Sequence, residues 1–151
     1  MRNDMIRFSR KQRQVLTWWR QNRWQAIICD GAVRSGKTFC MGLSFFLWAQ
    51  SCFDGRQFAL CGKTVGALRR TELVPCLRRI GMIVRENRSA NSLTVEFGGQ
   101  RNQFLLFGGK DESSAALIQG STLAGLLLDE AALMPRSFVE QAVARCSVRG
   151  S

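Results

Sequence analysis

The sequence predicts an α/β fold in which a mainly parallel β-sheet is flanked by helices and carries an inserted β-hairpin. Three observations predict it. Short apolar runs typical of buried strands alternate with longer segments of helical character. A glycine-containing segment that ends in Lys37 and Thr38 stands between one such run and a helix. A later apolar run ends abruptly at the carboxylates of Asp129 and Glu130.

Length and composition indicate one globular domain with a basic surface. The chain has 151 residues, of which 46% are hydrophobic, and this is enough to form a core. Its net charge is +11, and its basic side chains are 18 arginines and only 4 lysines. The planar guanidinium group suits phosphate, so this bias favours a nucleic acid over a membrane as the partner. The alternative is a basic surface that contacts only solvent.

The cysteines are not arranged as a metal site. Six cysteines occur without a CxxC pair, and histidine is absent, so we expect no zinc and a reducing, cytoplasmic setting. The first twenty residues lack the apolar core of a signal peptide. The longest apolar run, 39–49, is shorter than the roughly 20 residues that span a bilayer, which favours a buried helix and no membrane contact.

The first half of the chain predicts helix, strand, helix and strand in that order. Ser9 is placed to cap a helix that follows it. The apolar run 26–29 contains β-branched residues and ends at Asp30 and Gly31, so it predicts a buried strand. A helix is predicted from about residue 37 to residue 50, and the run 58–61 predicts a second buried strand.

The second half predicts a helix, a hairpin, a strand and a last helix. The segment 65–80 is helical in pattern, and we expect Pro75 to kink or divide it. Strands at 92–97 and 103–107, with Gly98 and Gly99 between them, predict the β-hairpin. The apolar run 121–131 predicts another strand, and Pro135 opens a final helix over 136–145.

The stretch DGAVRSGKTF, residues 30–39, matches the sequence motif of a phosphate-binding loop. A triphosphate needs backbone N–H donors wrapped around it, and glycine permits the tight turns at Gly31 and Gly36. Lys37 supplies the cation for the β and γ oxygens, and the hydroxyl of Thr38 supplies a ligand for Mg²⁺. The predicted ATP-binding residues of the loop are Gly31, Ala32, Val33, Arg34, Ser35, Gly36, Lys37 and Thr38.

The run ending in Asp129 and Glu130 predicts the second half of the same site. We expect Asp129 to hold Mg²⁺ opposite Thr38, and Glu130, which projects differently, to orient and deprotonate the attacking water. The pair indicates ATP hydrolysis, because a kinase needs no such glutamate and the base-reading Asn-Lys-x-Asp of a GTPase is absent. Considered without the loop, the same residues are also typical of a strand that ends in a solvated acidic turn.

Four stretches of the chain, "FSRKQRQVLTWW", "CDGAVRSGKT", "LIQGSTLAGLLLDEAALMP" and "VARCSVRGS", resemble the N-terminal ATPase domain of the large terminase subunit. This family packages DNA into the heads of tailed bacteriophages and is also found in prophages. The resemblance extends over essentially all 151 residues. It implies a P-loop NTPase fold of the ASCE, or RecA-like, class.

The resemblance also implies further roles for residues and partners. It assigns Arg34 to the γ-phosphate as a sensor or charge stabiliser, which is physically sensible because a guanidinium stabilises charge on the transferring phosphoryl group. It assigns reading of the adenine to Gln12, with Gln14 as the competing candidate. The implied partners are double-stranded DNA, the terminase small subunit, the portal protein and further copies in a ring. The implied location is the cytoplasm of the bacterial host.

Large terminases continue into a strand with a coupling motif and then into a nuclease domain. Residues 1–151 are therefore expected to be an incomplete ATPase domain that lacks both. Two alternatives to the packaging motor are another P-loop motor such as a helicase, and a non-catalytic nucleotide- or DNA-binding prophage remnant. Four arginines, Arg69, Arg70, Arg78 and Arg79, are candidates for DNA contact, although positions 69 and 78 lie half a turn apart on an ideal helix.

Overall fold

The computed structural model describes residues 7–21, 25–29, 36–108, 116 and 118–148. The α-helices bounded within these ranges are α1 (Arg10–Thr17), α2 (Lys37–Cys52), α3 (Val65–Arg69), α4 (Leu73–Arg79) and α5 (Arg136–Ala144). The strands are β1 (Gln57–Gly62), β2 (Ile83–Asn87), β3 (Ser92–Phe97), β4 (Gln100–Gly108) and β5 (Gly125–Leu128). Short 3₁₀ helices span Trp18–Gln21 and Ala131–Leu133.

The five strands form one sheet in the order β2-β3-β4-β1-β5. β1 pairs in parallel with both β4 and β5, whereas β3 pairs antiparallel with β2 and β4. The α/β fold with its hairpin is thereby confirmed, and the described sheet is mixed. Because β1, β4 and β5 run in one direction, their carboxyl ends meet at one edge of the sheet.

The start of α1 agrees with the sequence prediction. Ser9 is the N-cap, and its hydroxyl accepts a hydrogen bond from the backbone N–H of Gln12 at 3.2 Å. The side-chain oxygen of Gln12 in turn accepts the N–H of Ser9 at 2.9 Å. This capping box satisfies two N–H groups that the first turn of a helix leaves without partners.

The strand predicted at 26–29 is wrong, because these residues are described and form no strand. A strand requires a hydrogen-bonded neighbour, and β5 is already paired with β1 on one edge. Just before β5, Leu123 donates its N–H to the carbonyl of Arg145 and accepts the N–H of Ser147. Among the described residues, no strand pairing and no isolated bridge includes the segment 26–29, and Ile28 is 93% exposed.

Two further differences lie between residues 65 and 91. The helix predicted over 65–80 is divided as expected, but the break lies at 70–72 and not at Pro75. Pro75 is the third residue of α4, where its missing N–H has no partner in any helix. The strand β2 is not anticipated by the sequence, because only Ile83 and Val84 in it are apolar and Val84 alone is buried.

One of the two hydrophobic core clusters of the described residues lies between α2 and the sheet and is rich in aromatic rings, whereas the other packs Phe138 of α5 with Phe107 of β4. Phe46, Phe58 and Phe104 are completely buried. The ring of Phe104 stacks on Phe58 with centroids 5.0 Å apart and lies 4.3 Å from that of Phe46. Such ring pairs contribute about 0.5–1.5 kcal/mol each beyond the burial of their area. The apolar character of α2 is therefore that of a core helix. Among the described residues, none of the helices has the length and hydropathy needed to cross a membrane.

The carboxyl end of α2 is fixed by two buried amides. Asn102, which is 1% exposed, donates to the side-chain oxygen of Gln50 at 2.8 Å and to the carbonyl of Phe53 at 3.0 Å. Its own side-chain oxygen accepts the N–H of Arg56 at 3.0 Å. Gln50 donates to the carbonyls of Val95 and Gln100, which belong to the hairpin. Because a buried amide without partners is costly, this network holds α2 in one position on the hairpin.

Gly125 tests the packing of β5 against α2. A Cβ atom at this position would overlap the ring of Trp48 and would lie 3.0 Å from the ring of Phe58. We expect Gly125→Ala to lower the free energy of unfolding by about 1–3 kcal/mol, because overpacking displaces rigid aromatic rings. Chemical denaturation followed by tryptophan fluorescence measures the change.

Gly120→Ala is the matched control, because nothing lies within 4 Å of a Cβ atom built on Gly120. Its free energy of unfolding should stay close to that of the parent protein. Equal losses in the two variants would contradict the packing of Trp48 over Gly125.

Candidate functional site

The two halves of the predicted site meet through one hydrogen bond. The hydroxyl of Thr38 donates to Oδ1 of Asp129 at 2.8 Å, and both residues are half-buried. Thr38 is the second residue of α2, and Asp129 directly follows β5. The N–H of Asp129 donates to the carbonyl of Cys61 at 2.8 Å, which continues the ladder between β1 and β5 past the last paired residue. The position of this carboxylate is therefore set by the sheet.

Gly36 makes the turn into α2. It is the N-cap of this helix with φ 74° and ψ 17°, a left-handed conformation that a glycine adopts without steric cost. Its carbonyl accepts the N–H of Cys40 at 3.0 Å and so begins the helical ladder. The first N–H groups of α2 have no partner within the helix, and the helix dipole at this end favours negative charge.

Lys37 is the first residue of α2 and is half-buried. Burial raises the pKa of the Cys29 thiol, and the positive charge of Lys37 opposes that rise. Cys29 and Lys37, which flank the stretch 30–36, are therefore close enough to interact electrostatically. The loop residues Gly31, Ala32, Val33, Arg34 and Ser35 lie outside the described ranges, so their predicted roles stay predictions.

Gln12 lies beside the end of the loop. Its side-chain nitrogen is 3.3 Å from the position that a Cβ atom on Gly36 would occupy. Gln14, two residues further along α1, is exposed. The structure thus brings Gln12 to the loop, and the contact with adenine remains a prediction for this residue.

Glu130 is exposed and has an unusual backbone. Its φ of 58° and ψ of 46° are left-handed, a conformation that costs a residue with a Cβ atom about 1–2 kcal/mol. Its carbonyl accepts the N–H of Leu133 at 2.9 Å and starts a 3₁₀ turn. The chain therefore leaves the geometry of β5 at this residue. Backbone strain of this kind concentrates at functional sites, and nothing in the sequence indicated it.

The oxygen atoms of Thr38 and Asp129 fit the ligand preference of Mg²⁺. This ion takes oxygen ligands, keeps several waters, and is held in nucleotide sites by one or two protein groups together with phosphate oxygens. Among the described residues there is no group of three or more His, Cys, Asp or Glu side chains that could hold a metal ion on its own. A hydroxyl and a carboxylate 2.8 Å apart are a donor set for a metal that is shared with a phosphate.

Two hollows in the described part of the chain differ in size and position. A cavity of about 40 Å³ has Thr38 and Asp129 in its lining, but its other lining residues are mostly apolar and it is too small for a nucleotide. A groove of about 590 Å³ is lined by Gln57, Gln103 and Thr122, which lie toward the amino ends of the parallel strands. Ligands of α/β sheets bind at the carboxyl ends, so the Thr38–Asp129 edge is the candidate site among the described residues.

Comparison with solved structures identifies close relatives of the chain. The large terminase of a thermophilic bacteriophage matches with a TM-score of 0.92 and 53% identity, over 96% of this chain and 37% of that chain. A structure of the same terminase in complex with ATP-γ-S matches with a TM-score of 0.88 and 49% identity, over 96% of this chain and 36% of that chain. Another structure of it, in complex with ADP, matches with a TM-score of 0.90 and 51% identity, over 95% of this chain and 37% of that chain.

A more distant structure shares the fold. The large terminase ATPase domain of Thermus phage P74-26 matches with a TM-score of 0.61 and 22% identity, over 96% of this chain and 67% of that chain. The chain spans a little over a third of the length of the large terminase from the thermophilic bacteriophage. No family model matches the chain, and no curated protein is significantly similar to it.

The left-handed backbone of Glu130 predicts how substitutions at this position change the free energy of unfolding. We expect Glu130→Gly to raise the free energy of unfolding by roughly 0.5–1 kcal/mol, because glycine removes the backbone strain at φ 58°. Glycine also raises the conformational entropy of the unfolded chain, which offsets only part of this stabilisation. Glu130→Ala keeps the Cβ atom and should bring no such increase. Denaturant unfolding of both variants measures the difference. Equal stabilisation by alanine and glycine would show that charge, and not backbone strain, is the cause.

Proposed function

Because the chain belongs to the large terminase family, we propose that it is the ATP-binding and ATP-hydrolysing motor domain of a viral genome-packaging machine. Its reaction is the hydrolysis of ATP, and the energy drives double-stranded DNA into a phage prohead. Residues 1–151 are assigned to this ATPase domain. The observation that carries the proposal is the contact of Thr38 with Asp129, which joins a phosphate-loop hydroxyl to the carboxylate at the end of a neighbouring strand.

In this proposal, some residues of the site bind the nucleotide and its metal ion, and others take part in the chemical step. The backbone N–H groups of the loop and the start of α2 bind the phosphates, and the ammonium group of Lys37 lies at the helix end that favours anions. Thr38 and Asp129 are the residues that would hold Mg²⁺, which neutralises charge on the β and γ oxygens when bound. Gln12, beside Gly36, is assigned to the adenine.

Glu130 is assigned the proton transfer. Its carboxylate orients the attacking water and accepts a proton from it as the water oxygen bonds to the γ-phosphorus. The bond from this phosphorus to the β,γ-bridging oxygen breaks, and ADP and phosphate leave. The left-handed turn takes Glu130 out of the line of β5, so it can accept a proton while Asp129 stays available for the metal. Arg34 is assigned to the charge on the transferring phosphoryl group, as the resemblance to large terminases implies.

The partners in this proposal follow from the family and from the charge of the chain. The net charge of +11 suits double-stranded DNA, and the relatives from the thermophilic bacteriophage and from Thermus phage P74-26 are large terminases. We assign to the packaging complex a small terminase subunit, a portal protein and further copies of this subunit in a ring. The place of action is the cytoplasm of the bacterial host.

Lys37→Ala tests nucleotide binding. We expect this substitution to abolish binding of Mg-ATP to the chain, because it removes the cation that faces the β and γ oxygens. Isothermal calorimetry with Mg-ATP measures the affinity. Arg56→Ala is the matched control, since it removes one positive charge from an exposed position before β1, at the amino ends of the parallel strands. Unchanged affinity in Lys37→Ala would overturn the proposed site.

Glu130→Gln tests the assignment of the base. The variant should bind Mg-ATP as the parent does but lose turnover by about 10²–10⁴-fold, because an amide accepts no proton. Binding is measured by calorimetry and turnover by release of phosphate in the presence of double-stranded DNA. Loss of binding in this variant would show that Glu130 contacts the nucleotide and is not the base.

A further inference from the structure

Two arginines far apart in the sequence are brought together at the end of α3. Nη2 of Arg69 donates to the carbonyl of Arg88 at 3.2 Å and to the side-chain oxygen of Asn91 at 2.9 Å. Arg70, the next residue, is the exposed C-cap of α3, and Arg88 is exposed as well. None of the three ion pairs found among the described residues includes Arg69, Arg70 or Arg88.

The turn that carries Arg88 is held by its own hydrogen bonds. The side-chain oxygen of Asn87 accepts hydrogen bonds from the hydroxyl of Ser89 at 2.8 Å and from the N–H of Ala90 at 3.1 Å. Asn91 has a left-handed φ of 47°, and its carbonyl accepts the N–H of Leu106 at 2.8 Å. The turn therefore fixes its backbone before any partner arrives, which lowers the entropy that binding must overcome.

The neighbouring arginine Arg78 is excluded from this group by its own contacts. It donates to the carbonyl of Val84 at 3.0 Å and lies 3.8 Å from the carboxylate of Glu86. Its charge is thus partly neutralised, and its role is to join α4 to β2. By contrast, Arg69, Arg70 and Arg88 form no ion pair within 4.0 Å with a carboxylate of the described residues.

We propose that Arg69, Arg70 and Arg88 form a surface, the Arg69–Arg88 surface, that binds the phosphate backbone of double-stranded DNA. The duplex as partner rests on the proposed function. Guanidinium groups recognise phosphate through several N–H donors, and contacts of this kind fix a protein on DNA without reading its sequence. Arg69 also anchors the surface, because it joins α3 to the turn that carries Arg88.

The Arg69–Arg88 surface lies on the same edge of the sheet as the nucleotide site. β2 and β4 are both antiparallel to β3, and β4 is parallel to β1, so β2 runs in the same direction as β1. Arg88 follows the carboxyl end of β2, and Asp129 follows that of β5, level with Gly62 at the end of β1. Arg69 and Asp129 both line the small cavity, so this cavity reaches from the Arg69–Arg88 surface to the proposed nucleotide site.

The salt dependence of DNA binding tests the proposal. A fluorescent duplex of about three helical turns, roughly 30 base pairs, is titrated with the chain by anisotropy at several salt concentrations. In R70Q/R88Q we expect affinity to fall by about tenfold at low salt, and the slope of log K against log salt to become smaller by about two, one for each lost phosphate contact. The loss should be the same for duplexes of unrelated sequence.

The matched control is R101Q/R136Q, which removes the same number of charges from arginines that are paired with Glu96 and Glu140 elsewhere on the protein. This control should keep the slope of the parent chain. Equal losses in the two double variants would show that net charge alone governs binding and would overturn the proposal. An unchanged slope in R70Q/R88Q would overturn it as well.

Mg-ATP binding separates this test from that of the proposed function. R70Q/R88Q should bind Mg-ATP within about twofold of the parent affinity, as both residues lie outside the nucleotide site; this also confirms that the variant is folded. If the chain failed to bind Mg-ATP at all, the proposed function would fail while the DNA slopes would still decide the role of the Arg69–Arg88 surface.

Discussion

The hydrogen bond between Thr38 and Asp129 is the contact on which the site depends. It joins the first turn of α2 to the end of β5, across 91 residues of sequence. Its geometry requires that β5 be in register with β1, where Cys61 lies opposite Leu128. A slip of one residue would turn Asp129 to the opposite face of the sheet, because side chains alternate along a strand. The pairing of the sheet therefore controls whether the two halves of the site meet.

The helix α2 holds its end of this contact because it is fixed along its whole length. Gly36 sets its start, the rings of Phe45 and Phe46 pack against those of Phe58 and Phe104 at its middle, and the amide network of Asn102 holds its carboxyl end. Catalytic groups need positions accurate to a fraction of an ångström, and rigid elements supply this better than loops. The same helix reaches the hairpin, so the Thr38–Asp129 contact and the antiparallel half of the sheet share one rigid support.

The charge of the chain has a distribution that composition alone does not reveal. Some arginines serve the structure, as Arg78 does through the carbonyl of Val84. Others, among them Arg70 and Arg88, are placed at the edge where the strands end, outside the ion pairs of the described residues. In the proposed function, this arrangement would place DNA binding near the site of ATP hydrolysis. The basic composition favoured a nucleic acid, and the fold selects the arginines that would meet it.

The sequence by itself determined the features that depend on a few adjacent residues. The cap at Ser9, the turn at Gly98 and Gly99, and the helix after Pro135 follow from local hydrogen bonds and backbone preferences, and the structure agrees with each. The phosphate-loop pattern and the Asp129–Glu130 pair indicated the site because their chemistry needs those residue types in that order. The loop itself, residues 30–35, lies outside the described ranges.

Only the tertiary structure decided the features that need a distant partner. The run 26–29 has strand composition but no neighbouring strand to pair with among the described residues, and β2 has little strand composition but pairs with β3. The left-handed backbone of Glu130 and the contact of Arg69 with Arg88 are likewise imposed from outside their own segments. The physical reason is that strand pairing, backbone strain and long-range hydrogen bonds are stabilised by residues distant in the sequence. A local sequence pattern does not indicate which distant residues these are.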